Sequence, residues 1–195
     1  MVTLLSLGAW IGIGVAAVAI IIIISVISWN IKTYNKLVQL RNRVDNSFSQ
    51  IDVQLKKRFD LIPNLVETVK GYAKHENSIL NSFADARKMY AAASSNHDAQ
   101  GLAQANNQLS TLVNMVTEQY PEIKADKSFI GLQKTLHDTE DKIALSRQFY
   151  NDVCLSYNNA IALFPSNIVA RTFRFDRARF FEVSEMEREA PKVQF

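Results

Sequence analysis

From Met1 to Ile31 the chain carries no Asp, Glu, Lys, Arg or His. All 22 Lys and Arg and all 19 Asp and Glu fall after that point. The apolar run from Leu4 to Ile31 exceeds the ~20 residues needed to cross a hydrocarbon layer about 30 Å thick. Both tryptophans, Trp10 and Trp29, lie in it. At about 1.5 Å per helical residue they stand roughly 28 Å apart, the spacing of the two rims of an aromatic belt. A cleavable signal peptide fits less well. There is no basic segment ahead of the apolar run, and Ala17-Val18-Ala19, which looks like a cleavage site, is followed at once by Ile20 to Ile24. The expectation is a retained signal-anchor, residues 1–31, in a single-pass membrane protein.

The flanks set its direction. Met1 to Thr3 offer no positive charge, whereas Lys32, Lys36, Arg41 and Arg43 follow the span against Asp45 alone. The positive-inside rule then puts the N-terminus outside and the rest of the chain in the cytoplasm. A single cysteine, Cys154, suits a reducing compartment and excludes an intrachain disulfide. Gly8, Gly12 and Ala16 repeat every fourth residue on one helix face, a spacing that lets two membrane helices approach closely. Gly12-x-Gly14 is no dinucleotide loop, because it lacks a preceding strand and a third glycine.

After the span, the sequence reads as helix. Only Gly71, Gly101 and Gly131 lie beyond it, and the prolines are Pro63, Pro121, Pro165 and Pro191. Breakers this sparse leave room for long helices. Alternate steps of three and four residues trace a stripe through Tyr34, Leu37, Arg41, Val44, Phe48, Ile51, Leu55, Arg58, Ile62, Leu65, Val69, Tyr72, Glu76, Ile79, Phe83, Ala86 and Tyr90. Only Arg41, Arg58 and Glu76 interrupt it. Such a coiled-coil-like seam packs helix on helix. A turn at Ser94 to Asp98 precedes a second stripe, Leu102, Ala105, Leu109, Leu112, Val116 and Tyr120, which Pro121 ends. A third runs through Phe129, Leu132, Leu136, Ile143, Tyr150, Val153, Tyr157 and Phe164, diluted by Thr139 and Ser146.

The predicted fold is all-α: an N-terminal transmembrane helix, an antiparallel bundle of three or four long helices over 32–165, and a short helix with a Phe/Arg-rich extended tail over 166–195. Pro63 decides the helix count. It either kinks one continuous helix or sits in the first turn of a new one capped by Asp60. The stripe holds its register through Arg58, Ile62 and Leu65, which favours the kink. A continuous helix from Tyr34 to Tyr90 would be about 85 Å long, against about 27 and 53 Å for the next two. It would leave an apolar strip around Leu37, Val44, Phe48 and Ile51 uncovered, so a homo-oligomer is expected. The rival is a four-helix monomer that reverses near Asp60.

The ordered motifs resemble the LemA family of bacterial membrane proteins along nearly the whole chain. They begin with Tyr34-Asn35-x-Leu37, Arg41-x-x-Val44-Asp45-x-x-Phe48-x-x-Ile51-Asp52 and Arg58-x-Asp60-Leu61-Ile62-Pro63-Asn64-Leu65. They continue through Gly71-Tyr72, His75-Glu76, Ala86-Arg87, Tyr157-Asn158 and Phe164-Pro165-Ser166-Asn167 to Ala190-Pro191-x-Val193-x-Phe195. The resemblance implies one membrane helix, a helical bundle on the cytoplasmic side and no transferable catalytic residues.

Sites of chemistry are scarce. There is no HExxH, no Glu-x-x-His, no phosphate loop and no GxSxG. His75 and Glu76 are adjacent and point about 100° apart on a helix. His137 and Asp141, one turn apart, could bind a metal weakly and, with neighbours, serve a metal enzyme or hydrolase, but an ordinary surface pair explains them better. Cys154 reads as a small core residue. The expectation is a non-catalytic scaffold with no cofactor. Its partners would be membrane lipid, itself and other envelope proteins, and not nucleic acid, for which a net charge of +3 is small. Candidate contact residues are Arg41, Phe48, Ile51 and Arg58 in the seam, and Phe173, Phe175, Phe180 and Phe181 in the tail. The topology is testable with a cysteine at Thr3 in a Cys154→Ala background. An impermeant thiol reagent applied to whole cells should label it, and a protected Thr3 site with an accessible bundle would reverse the assignment.

Overall fold

The structure, a computed structural model, describes residues 2–72 and 77–181, with side chains described over 10–72 and 78–181. His75, Glu76 and the motif at Ala190 to Phe195 lie outside the described residues. Helices run α1 (Val2–Phe59), α2 (Ile62–Lys70), α3 (Asn77–Ser95), α4 (Ala99–Gln119), α5 (Lys127–Ala162) and α6 (Ser166–Thr172), with a 3-10 turn at Pro121–Ala125. Among the described residues there is no strand. Two compact units form: residues 43–156 with the segment from Ala178, and residues up to Asn42 with Tyr157–Arg177.

The larger unit is a bundle of alternating direction. Val44, Phe48, Ile51, Leu55 and Phe59 of α1 are all buried, each contributing about 1.5–3 kcal/mol of apolar burial. Phe59 stacks on Tyr90 with ring centroids 4.5 Å apart, and Phe48 stacks on His97 at 5.1 Å. Numbers fall along α1 as they rise along α3, so the two helices are antiparallel. Arg58 meets Glu140 and Phe48 meets Tyr150, which makes α5 antiparallel to α1 as well.

Pro63 kinks the chain without reversing it. Leu61 keeps right-handed helical dihedrals (φ −81°, ψ −14°). Its amide bonds three residues back to the Arg58 carbonyl at 3.2 Å, and the ladder resumes from Leu65 to Leu61 at 3.0 Å. Proline has no N–H to offer, and its ring crowds the carbonyl four residues before it, so the ladder opens at this point. Ile62, Leu65 and Val69 remain buried, and Ile62, Pro63 and Val66 line a groove opposite Leu80, Ala84 and Ala91 of α3.

Two expectations are corrected here. The helix does not continue to Tyr90: α2 runs past the kink and ends at Lys70, and α3, which begins at Asn77, runs antiparallel to α1, so the reversal is not near Asp60. The strip around Leu37, Val44, Phe48 and Ile51 is not left open, because all four are buried within the single chain. The returning α3, together with α4 and α5, supplies enough apolar surface for the bundle part of α1. The uncovered-strip argument for a homo-oligomer therefore falls.

The turns are tightly specified. His97 adopts a left-handed backbone (φ 51°). The amide of Asp98 donates to the Ala93 carbonyl at 2.9 Å, closing a Schellman turn. Asp98 then caps α4 by accepting from the Gln100 amide at 3.1 Å. Gly101 is required at this corner, since a Cβ would lie 2.7 Å from Asp98 Oδ2 and 2.9 Å from the Ala93 methyl. Asp126 caps α5 through the Ser128 and Phe129 amides at 2.8 and 3.1 Å and also accepts from the Tyr72 hydroxyl at 3.1 Å. The Phe129 amide above all holds its carboxyl below the usual range.

In the smaller unit, α1 is long and apolar enough to cross a membrane, and its apolar stretch is unburied. The end of α5 leads through a cis Phe164–Pro165 peptide into α6. Val169 and Ala170 bury the inner face of that short helix. Arg174 (φ 54°) closes it, with the Phe175 amide donating to the Ala170 carbonyl at 2.9 Å. Phe173 and Phe175 pack on Tyr34 at 4.7 and 5.8 Å. The Tyr157 hydroxyl donates to the Asp176 carbonyl at 2.8 Å.

Replacing Ile51 with Ala should cost about 2–5 kcal/mol, while Arg41→Ala, on an exposed position, should stay within about 0.5 kcal/mol. Denaturant unfolding in detergent reads both. A Phe48→Cys thiol in a Cys154→Ala background should resist both alkylation and disulfide dimerisation until the bundle unfolds.

Candidate functional site

Arg58 is the charge that the apolar seam could not explain. The structure places it 5% exposed with both terminal nitrogens engaged, while its buried Nε has no hydrogen-bond partner. Nη1 donates to Asn106 Oδ1 and to Glu140 Oε2, and Nη2 donates to Ser110 Oγ at 2.9 Å. The Asn106 amide donates to both Glu140 oxygens at 3.4 Å. Three helices, α1, α4 and α5, thus meet at one ion pair. Burial pushes the guanidinium below its ordinary range, and the Glu140 charge and hydrogen bond oppose that shift. The expected role of Arg58, a candidate contact with a partner, does not describe it. It is an internal clasp.

A second polar contact joins α1 to α3. The Asp52 carboxylate accepts from the Tyr90 hydroxyl and the Ser94 hydroxyl, both at 3.0 Å. Burial first and Asp52 second push the Tyr90 phenol well above its ordinary range. Tyr90 is therefore a donor at every physiological pH.

The remaining sequence candidates are dispersed. Arg41 is exposed, whereas Phe48 and Ile51 are core. Phe173 is exposed and Phe175 half-buried on Tyr34. Phe180 is partly exposed. Phe181 is buried, its amide donating to Asn151 Oδ1 at 2.8 Å and its ring lying 5.2 Å beneath the Arg147 guanidinium. For Ile51 and Phe48 the heptad position gave burial, and a neighbouring helix of the same chain provides it. Trp10, Trp29 and Ala16 are exposed on the apolar stretch, and a Cβ on Gly12 would meet open space. The side chain at Gly8 lies outside those described.

His137 and Asp141 stand 4.0 Å apart, both exposed. His137 lines an open groove of about 530 Å³ together with Arg58, Ser110, Lys134 and Glu140. Among the described residues, no three His, Cys, Asp or Glu side chains converge as metal ligands would. Cys154 is buried, and burial raises its thiol above the ordinary range.

Asn106, Ser110 and Glu140 escaped the sequence reading. The available signal was the dilution of the α5 stripe at Thr139, the level at which α5 turns Glu140 toward Arg58.

The description of the LemA family matches residues 47–195, the stretch that contains the clasp. The chain belongs to the LemA family. It is 27% identical over 157 residues to Protein LemA of Metamycoplasma hominis, covering 79% of this chain and 71% of that protein. It is 24% identical over 192 residues to magnetosome protein MamQ of Magnetospirillum gryphiswaldense, covering 85% and 70%. MamQ 2 of Paramagnetospirillum magneticum is similar to the same extent. The matched LemA region includes all four members of the clasp, Arg58, Asn106, Ser110 and Glu140.

Removing one partner of the clasp should cost more than removing both. Arg58→Met alone leaves Glu140 and Asn106 facing an apolar gap and should lose about 2–4 kcal/mol. Adding Glu140→Leu should recover part of that loss. A double-mutant cycle by denaturant unfolding measures the coupling, and additive losses would mean that the pair is not coupled.

Proposed function

We propose that this protein is a membrane-anchored, non-enzymatic helical scaffold of the bacterial envelope, with its bundle on the cytoplasmic side. One observation carries the reading: a single helix, α1, provides both an apolar stretch of membrane-spanning length and the central core residues of the bundle. A chain built this way turns a lipid anchor directly into a folded surface. The polar groups inside the bundle support a structural role, because Arg58 is bound by Glu140, Asn106 and Ser110, and Asp52 by Tyr90 and Ser94. These groups join helices to one another. Membership in the LemA family, which is shared with relatives named as LemA and magnetosome proteins, agrees with a membrane-associated role.

Self-association forms part of this proposal on narrower ground than the sequence suggested. Its support is the Gly12 and Ala16 face of the span, open in the single chain, with Gly8 at the same spacing. The rival, an enzyme built on His137 and Asp141, has two exposed side chains, and among the described residues no three His, Cys, Asp or Glu converge there as metal ligands would.

The test uses the full chain in its own membrane. The protein should stay with the membrane after alkaline extraction. His137→Ala and Asp141→Asn should retain in-cell function, and purified protein should carry no stoichiometric metal. Loss of function in either variant with helicity intact, or a bound metal removed by it, would overturn the non-enzymatic reading.

A further inference from the structure

The segment from Leu163 to Phe173 turns large apolar side chains outward. Leu163 is 63% exposed, Phe164 80%, Ile168 54% and Phe173 54%. Single exposed apolar residues are ordinary, but four within eleven positions are not. The segment is not loosely held. Val169 and Ala170 bury the opposite side of α6, the Phe175 amide is bonded to Ala170, and the Tyr157 hydroxyl holds the Asp176 carbonyl. The outward direction of Phe164 and Ile168 is therefore built in.

The charges around the patch have one sign. Residues 159–175 contain no acidic side chain, and Arg171, Arg174 and Arg177 are exposed with Asp176 alone against them. Apolar residues rimmed by arginines suit the boundary between acyl chains and anionic headgroups, where the rings enter the lipid and the guanidiniums meet phosphate.

Position in the unit points to the same occupant. Phe173 packs on Tyr34 at 4.7 Å. Tyr34 follows Trp29, the inner rim of the span, by five residues, about 7.5 Å along a helix. Exposed Lys32 and Lys36 flank it. The aromatic cluster thus lies at the level where α1 leaves the hydrocarbon.

We propose that residues 163–177 form a second membrane contact. Leu163, Phe164, Ile168 and Phe173 enter the boundary layer of the bilayer that α1 crosses, and Arg171, Arg174 and Arg177 bind its anionic headgroups. The proposal rests on the reading of α1 as a span.

The experiment uses the full chain, Cys154→Ala, in vesicles of phosphatidylcholine and phosphatidylglycerol. Phe164→Cys, Ile20→Cys and Leu145→Cys are each labelled with an environment-sensitive fluorophore, with lipids bearing nitroxide quenchers on the acyl chain. Leu145 is exposed on α5 and serves as the aqueous control. Quenching at 164 and at 20 is expected to exceed that at 145 by about twofold or more. Changing Arg171, Arg174 and Arg177 together to Gln should reduce quenching at 164 in the anionic vesicles and leave the value at 20 unchanged. Quenching at 20 with none at 164 would overturn the second contact and leave the span intact. A blue-shifted but unquenched label at 164 would mean that protein covers the patch, which also overturns the proposal. No quenching at either site would remove the span and the contact together, and quenching at 164 alone would keep the lipid contact and remove the span.

Discussion

An arginine in the middle of an apolar helix seam must be neutralised or moved to water, and at Arg58 the protein neutralises it. Leu55, Phe59 and Ile62 around it are all buried, and although the guanidinium borders an open groove, Arg58 is only 5% exposed. A buried guanidinium without partners would cost several kcal/mol. Its planar fork accepts only partners placed in a fixed geometry. That need ties α4, through Asn106 and Ser110, and α5, through Glu140, to one level on α1. Apolar helices alone can slide by a heptad at small cost, because every heptad presents a similar surface. One charged fork with three oxygen partners removes that freedom, so the clasp contributes register more than net stability.

The same residue shows how much was legible beforehand. Its charge in the stripe was visible in the sequence, and so was the need for a partner. The partner was not, because Glu140 lies 82 positions away, and the dilution of the stripe at neighbouring Thr139 does not say which helix that level of α5 faces. Periodicity identifies which face of a helix is buried. It does not say which residues on two faces meet. The stripes of α4 and α5 were read correctly for the most part for that reason: Leu102, Ala105, Leu109, Leu112 and Val116, then Phe129, Leu136, Ile143, Tyr150 and Tyr157, are core, whereas Tyr120, Leu132 and Val153 are half-buried and Phe164, at the end of the third stripe, is 80% exposed.

The failure at the reversal has a related cause. Register through Pro63 was sound evidence, since Ile62, Leu65 and Val69 remain buried past the kink. The stripe was then extended from Tyr72 to Ile79, seven positions on. Seven is one heptad, so two separate helices with heptad-like seams can stay in step across a turn by coincidence. With Gly71 the only breaker nearby, nothing in the residue types marked the place. The consequence reached well beyond helix count, because a helix assumed to run on to Tyr90 left its own core unaccounted for and made an oligomer look necessary.

Two other turns, one of them read from the sequence at Ser94 to Asp98, carry an unexpected residue type at their left-handed position. Left-handed positions usually announce themselves as glycine. Here His97 and Arg174 occupy them, each at a cost of about 1–2 kcal/mol relative to a relaxed backbone. At His97 the side chain supplies a compensating contact. Its ring stacks on Phe48 with an interplanar angle of 21°, covering a core phenylalanine that a glycine would leave open to water. Arg174 has the corresponding place at the end of α6, and glycine there would remove one of the guanidiniums beside the exposed Phe173. At His97 the strained residue has a side-chain contact that accounts for it, and that contact exists only once the chain has folded.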